Sequence, residues 1–552
     1  MQRVAYETLS RAERKARHLA AAEYLSTGWG PEDDEVVEVI ASHLVDAYRA
    51  APDAEDSPAI RARAREQLER AGERAGSLGA AAEAQRYFEQ AAELAADDLS
   101  RARLLERAAS MAWRAARSEQ ATRHFEDALG IFEGAGESHA AARVSARLGE
   151  VMWQAGRLGE ALERMERAYA TLGEDEHDAD SAALAAELGR LHFFAGDFER
   201  ARERIEQALA VAESLRLPEV ISQALNTKAL ILRRPEEGLA LVRHALVVAL
   251  EHDLDAAAGR AYFNLSFVLA GRDRFDEAHR VLEDALALAR RRGDRGQELR
   301  VLGQLGEVLA VLGDWDAALA RASEILEEER RQGYIFSANA YMLAFIYVNR
   351  GEFEDAEPLV VEAAANASDS QSRSFAALVR AVVAQARGRH REALAAGQEA
   401  YELARAAYPA VPIEPLVEAV EAALALDDLG KAEELLSPLA TLPPVERTHL
   451  VQAQEARLQA RLAARRGDHD AVEPRYKRAA ALFRELGTPF WLAVTLLEHG
   501  EWLVASERRD EAAPLLDEAR QIFERLRARP SLERVEGALG APRGTPELTG
   551  TA

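Results

Sequence analysis

Three bulky aromatics fall at forty-residue intervals, at Trp113, Trp153 and Phe193. Arginines keep the same interval: Arg103 and Arg143 are forty apart, and so are Arg260 and Arg300. Aromatic rings supply contact area at little entropic cost, and arginine forks grip carboxylates with two hydrogen bonds. Rows of both are what a groove for a partner peptide needs. The alternative is that the rings pack between neighbouring structural units, the commoner fate of aromatics at helical spacing.

No other constellation has the spacing of a reaction centre. The 13 histidines include no H-E-x-x-H pair. Glu176-His177-Asp178, inside the acidic run GEDEHDAD, could hold a divalent ion loosely. A solvated loop is the expectation, because charge blocks are usually exposed. Cysteine is absent, which excludes disulfides, thiol catalysis and cysteine-ligated zinc. The nearest approach to a G-x-x-x-x-G-K-[ST] phosphate loop, Leu429-Gly430-Lys431-Ala432, lacks the first glycine and the hydroxyl. Arg292-Gly293-Asp294 and Arg466-Gly467-Asp468 spell an adhesion tripeptide by coincidence. The expectation is a protein that is not an enzyme, with no catalytic residue, no metal site and no cofactor.

Composition points the same way. Of 552 residues, 48% are hydrophobic and 30% charged, a folded profile. Alanine, leucine, glutamate and arginine dominate, so the chain is expected to be all-α. A formal net charge of −25 repels a phosphate backbone, which argues against nucleic-acid binding by this chain alone. No apolar run approaches a membrane span and no segment has signal-peptide form, so no membrane partner and a cytoplasmic location are expected.

The elements that must position the aromatics and arginines are legible as a repeat. Take Gly196, in GDFERARERIEQALAVAESL, as position zero. Equivalent positions are Gly79, Ala116, Gly156, Arg233, Asp273, Gly313, Gly351, Gly388, Asp427, Gly467 and Glu507, a period of about 39 residues. Five residues on, ten of the twelve units carry alanine; twelve residues on, ten again do. Seven residues before zero, ten of twelve are Gly, Ala or Ser. Positions five and twelve lie two helical turns apart on one face, where alanine lets a second helix come close. Glycine at zero can take the left-handed conformation that ends a helix. Asp197, Asp314 and Asp468 directly after it can cap the next one. Each unit is then a helical hairpin, which cannot bury its apolar stripe alone and must stack on its neighbours.

This pattern resembles the tetratricopeptide repeat (TPR) over roughly residues 64–527, with a longer period than the family's 34 residues. The resemblance implies a right-handed α-solenoid of about twelve TPR-like hairpins. It also implies that side chains about 13, 10, 6 and 3 positions before zero line a concave groove. Those columns and the middle units supply the expected partner-binding residues: Arg103, Trp113, Arg143, Trp153, Arg190, Phe193, Arg260, Phe263, Phe267, Arg300, Tyr341 and Phe345.

Residues 1–50 fall outside the repeat register. Val4-Ala5-Tyr6-Glu7-Thr8-Leu9, the basic stretch Arg11–His18 and a helix carrying His43 resemble the segment that follows the ATPase module in bacterial signalling proteins. Such proteins join a nucleotide-binding ATPase, often with an adenylyl or guanylyl cyclase domain, to a TPR tail. The expected organisation is 1–50 as a helical remnant after a missing ATPase module, 51–535 as the solenoid, and 536–552 as a disordered tail. The expected function is a non-catalytic scaffold binding a protein or peptide, as the sensory tail of such an attached or separate ATPase or cyclase-like regulator. The alternatives are a stand-alone adaptor or, behind it, a small-molecule sensor.

Overall fold

The computed structural model describes residues 9–28, 36–154, 157–172, 178–232, 234–331, 337–365, 367, 370–407 and 412–540. Among these residues there are twenty-seven α-helices, one short 3-10 turn and no strand. Helices adjacent in sequence pack on one another as successive hairpins, about a dozen in all, which is the expected all-α solenoid.

The hairpins bend where the repeat predicts. Gly79, Ala116, Gly196, Asp273, Gly313, Gly351, Gly388, Asp427, Gly467 and Glu507 all have positive φ, from 59° to 80°. The other two positions, Gly156 and Arg233, lie outside the described residues. Ala116 holds this conformation against a cost of about 1–2 kcal/mol. The turn is closed by the amide of Arg117 donating to the Ala112 carbonyl at 2.8 Å, and by that of Ala116 donating to Trp113 at 2.9 Å. A second left-handed set, not foreseen from the sequence, falls twenty residues later at Gly136, Arg216, Asp253, Gly293, Gly487 and Arg527, where one hairpin passes to the next. Asp197 and Asp314 cap their helices, each accepting a backbone N–H at 3.1 Å. Asp468 corrects that expectation: its side chain makes no such bond.

The alanine columns are packing positions. Ala84, Ala121, Ala161, Ala201, Ala278, Ala318, Ala356, Ala393, Ala432 and Ala512 are all fully buried. The small column seven before zero makes room for one large residue of the partner helix. A Cβ on Gly72 would sit 2.6 Å from Phe88, on Gly189 2.7 Å from Ile205, and on Gly500 2.6 Å from Leu516.

Hairpins that are far apart in sequence also touch. Gly293 lies so close to Gly79 that a Cβ on it would fall 1.7 Å from the Gly79 carbonyl oxygen. Arg114 donates to the Arg292 carbonyl at 2.8 Å, the Leu450 amide to Asp273 Oδ2 at 3.0 Å, and Arg350 Nε to the Leu526 carbonyl at 3.2 Å. These partners are 178, 177 and 176 residues apart. Asp316 completes the pattern by bridging Arg350 at 2.7 Å and Arg527 at 2.9 Å. The stack therefore coils so tightly that hairpins roughly five units apart meet along a seam.

The helices Arg11–Gly28 and Val37–Ala50 pack on each other and then on Ser57–Ser77, so they continue the stack. Val4–Thr8 lie outside the described residues. The last helix, Arg529–Gly540, includes residues 536–540 of the expected tail; 541–552 are outside the described residues. No helix among the described residues is long and apolar enough to cross a membrane.

Candidate functional site: the interior wall

The first helices of several hairpins bring charged side chains under one another's influence on the inner wall of the coil. Glu150, on Ser138–Gln154, feels the guanidiniums of Arg190, Arg300, Arg147 and Arg260. Arg300 stands four hairpins later in the chain and reaches Glu150 only because the stack curls round a common axis. Burial opposes the Glu150 charge, yet these four cations outweigh it and hold the carboxyl below its ordinary range. Arg190 is 7% exposed and sits 3.1 Å from Glu187 and 3.6 Å from Glu150. Its guanidinium also lies 5.1 Å from the Trp153 ring, which stacks on Phe194 at 4.1 Å. Arg260 hydrogen-bonds Gln223 Oε1 and, at 2.6 Å, Thr227 Oγ1. Burial, and then the like charge of Arg190, pull the Arg260 guanidinium down to about 9. It remains a cation at neutral pH, held there at a cost.

The expected groove residues thus divide. Arg190, Arg260, Arg300 and Trp153 converge on the interior around Glu150. Trp113 belongs to the seam: its carbonyl faces Gly296, and Arg300 lies 5.8 Å from its ring. Arg103 is exposed and lines a cleft of about 560 Å³ with Phe88, Met111, Arg114 and Arg292. Arg143 already grips Glu106 with two bonds of 2.8 and 3.0 Å and lies 3.6 Å from Asp180, so its charge is largely spent within the protein. Phe193 corrects the column assignment. It is 3% exposed, packed against Phe194 and Phe198, and its neighbour Phe194 takes the place beside Trp153. Phe263 is half-buried and Phe267 is 39% exposed. Tyr341 and Phe345 are half-buried in an aromatic cluster. Phe345 meets Phe490 at 5.2 Å and Trp491 at 6.1 Å across the seam, so packing between turns claims that ring.

Further along, the interior wall changes sign. Glu307, Glu414 and Glu418 have no ion-pair partner among the described residues. Burial, reinforced by the charge of Glu414, pushes Glu307 up to about 8. Burial and the charge of Glu421 push Glu418 up to about 8 as well. Glu414 is exposed at the surface of this wall, and partial loss of hydration with the charge of Asp273 raises its carboxyl. The Tyr341 hydroxyl is raised well above its usual range by burial and by these three carboxylates. Sequence reasoning missed this set, although Glu307 occupies the same column, six before the turn, as Arg190. Beside it, the fully buried Arg457 pairs with Glu421 at 2.7 Å and Glu498 at 2.9 Å. Burial works against the Glu421 charge, but Arg461 and Arg457 together pull its carboxyl down to about 2.

The other sequence candidates resolve into structure. Glu176 and His177 lie outside the described residues. Asp178 caps the helix Ala179–Phe194 by accepting the Ser181 amide at 2.8 Å, and it pairs with His139. With Asp180 these two form the only three-ligand group found among the described residues. Arg143 stands beside it as a ready-made cation. Gly293, Asp294 and Gly467 are turn and cap residues, and Lys431 pairs with Glu434 next to an Asp428 cap.

The sequence pattern of the tetratricopeptide repeat family matches residues 100–174, 138–214 and 258–328. No curated protein matches the chain. Among solved structures, BtubC from P. vanneervenii is 20% identical over 40% of this chain and 92% of its own, with a TM-score of 0.32. The Cut9–Hcn1 tetramer of the APC/C is 13% identical over 87% and 94%, at 0.45. A signal transduction ATPase with numerous domains and a tetratricopeptide repeat sensor, from Pyrococcus horikoshii, is 12% identical over 72% and 64%, at 0.42. With scores this low, these likenesses decide nothing further. Residues 100–214 and 258–328 carry the tetratricopeptide-repeat pattern, and the described residues form the stacked helical hairpins of a TPR-like α-solenoid, the architecture of a protein-interaction scaffold.

Proposed function

We propose that the protein is a non-catalytic scaffold that holds an extended segment of a protein partner inside its superhelix, and that it serves as the sensory tail of a signalling ATPase or cyclase-like regulator. The observation that carries the first part is the gathering of Arg190, Arg260, Arg300 and Trp153, from four separate hairpins, around Glu150. Polar and aromatic side chains aimed at a common volume present more recognition chemistry than stacking alone requires. The ATPase link rests on the N-terminal resemblance, of which Arg11–His18 and His43 lie in the first helical hairpin.

The test is binding of the full chain to an array of extended peptides, repeated with Trp153→Ala. Loss of the Trp153 face should weaken the best binders by about 1–3 kcal/mol, the range of an interface anchor. Unchanged affinity across the array would place the binding surface elsewhere.

A further inference from the structure

We infer that His18, His43 and Asp46 form a site for a divalent cation of the zinc class, which clamps the helix Arg11–Gly28 onto Val37–Ala50. The inference is independent of the interior wall and of what binds there.

The argument begins with two ring nitrogens. His18 Nδ1 and His43 Nδ1 lie 3.0 Å apart on facing helices, 25 residues apart in sequence. The ring centroids are 5.3 Å apart and the planes meet at 45°. One proton between the two nitrogens makes this a hydrogen bond, since a neutral imidazole has one donor and one acceptor nitrogen. The same two atoms are close to a chelating arrangement. Two imidazole nitrogens on one tetrahedral zinc, each at about 2.0–2.1 Å, stand about 3.3–3.4 Å apart. Exchanging the shared proton for the ion therefore takes a small widening and a tilt of each ring. Asp46 Oδ2 is 4.0 Å from His18 Nδ1. Asp46 stands one helical turn after His43, so a side-chain rotation brings its carboxylate to the third position. Its side chain is 45% exposed, and water from that side fills the fourth.

The electrostatics suit a cation. The charged neighbours that act on His18 are Asp46 and His43, and no lysine or arginine of its own basic helix is among them. Lys15 is drawn away to Asp56. The group His139, Asp178 and Asp180 differs in this respect, because Arg143 stands 3.6 Å from Asp180 and already supplies the positive charge. Two imidazoles with one carboxylate are a borderline donor set, which favours Zn²⁺ over the oxygen-seeking Mg²⁺ and Ca²⁺.

The packing shows what such an ion would do. Of the described side chains of Arg11–Gly28, only Ala22 is buried. The helix rests mainly on Val37–Ala50, and beyond that hairpin it is tied by ion pairs, Lys15 to Asp56 and Glu23 to Arg63 at 3.6 Å. A helix with so little apolar contact opens readily. An ion held by both helices binds only the docked form and stabilises it by mass action. The site thus makes docking of this helix depend on metal.

Titration of the metal-stripped full chain tests the inference, with Zn²⁺ against a chromophoric chelator and with Co²⁺ while the visible spectrum is recorded. One equivalent of Zn²⁺ should bind more tightly than any other, and Co²⁺ should give the intense visible bands of a tetrahedral site. Hydrogen exchange in residues 11–28 should slow when Zn²⁺ is added. His18→Gln and His43→Gln should each weaken that equivalent by at least about tenfold, and Asp46→Asn by less. His139→Gln should leave it unchanged. His18→Cys, which keeps a zinc ligand, should restore binding and guards against misfolding of the glutamine variant. Absence of a distinct zinc equivalent, or one that survives both His18→Gln and His43→Gln, overturns the inference and leaves the pair as a hydrogen bond only. Loss in His139→Gln instead moves the site to the other group and overturns it too. Equal competition by Mg²⁺ overturns the zinc-class assignment. Binding without slower exchange in residues 11–28 overturns the clamp.

Discussion

Two stretches of the interior wall, which meet on the helix Arg295–Val311, are built from opposite charges. The first gathers Arg147, Arg190, Arg260 and Arg300 around Glu150; the second gathers Glu307, Glu414 and Glu418 near Tyr341. The difference is more than a change of sign. An arginine keeps its proton at any physiological pH, so the first wall is a permanent field that must find anions. A buried carboxyl can accept a proton instead, so the second wall carries charge only conditionally. Where the second wall does hold fixed charge, it does so through a built pairing of Arg457 with Glu421 and Glu498.

The largest effect that would sharpen this contrast is expected from Arg457→Met. It leaves Glu421 and Glu498 buried with one guanidinium fewer, which should destabilise the protein by about 3–5 kcal/mol in urea unfolding. A loss below about 1 kcal/mol would mean that the second wall tolerates uncompensated charge as the first does.

The next largest is a pH dependence confined to the second wall. Glu307 and Glu418 hold their protons up to about 8, whereas the unfolded chain gives them up near 4.5. Between those values the native state binds more protons than the unfolded state, so stability falls as pH rises. It levels off above about 8. The melting temperature should drop by several degrees from pH 5.5 to 8.5. The double substitution Glu307→Gln and Glu418→Gln should flatten that slope and raise the value at the alkaline end. A slope that survives the double substitution would break the assignment.

The smallest effect belongs to the first wall's rim. Arg147 and Glu219 pair at 2.9 Å with side chains 45% and 43% exposed. A double-mutant cycle on them should return at most about 1 kcal/mol, screened further by salt. A larger coupling would mean that the first wall draws its stability from pairing too.

How much of this was written in the sequence depends on distance along the chain. The turn positions and alanine columns depend on contacts within one hairpin, and they were legible: all ten described zero positions are left-handed, and Ala84 through Ala512 are buried as read. Side-chain direction was legible only to within a residue. Successive positions on a helix are about 100° apart, so assigning Phe193 to the groove overlooked Phe194, which faces Trp153. The seam left no local signal. Asp316 meets Arg527 across 211 residues because small rotations between hairpins accumulate over several units, and no short motif encodes that sum. The carboxylates at Glu307, Glu414 and Glu418 were missed for a related reason. Their isolation from cations is visible only once the coil brings separate hairpins together.

The seam has a consequence for how the molecule comes apart. A linear stack of repeats unfolds piecemeal, because each unit answers only to its neighbours. Here the bonds Arg114–Arg292, Asp273–Leu450 and Arg350–Leu526 add non-nearest-neighbour terms of the kind that a compact globule has. Fraying at the C-terminal helices removes the partners of Arg350 and Asp316, so it is felt in the middle of the chain. The same bonds raise the contact order, and they form only after about five hairpins are in place, which makes closure a late event in folding. The protein is repetitive in sequence but partly globular in its cooperativity.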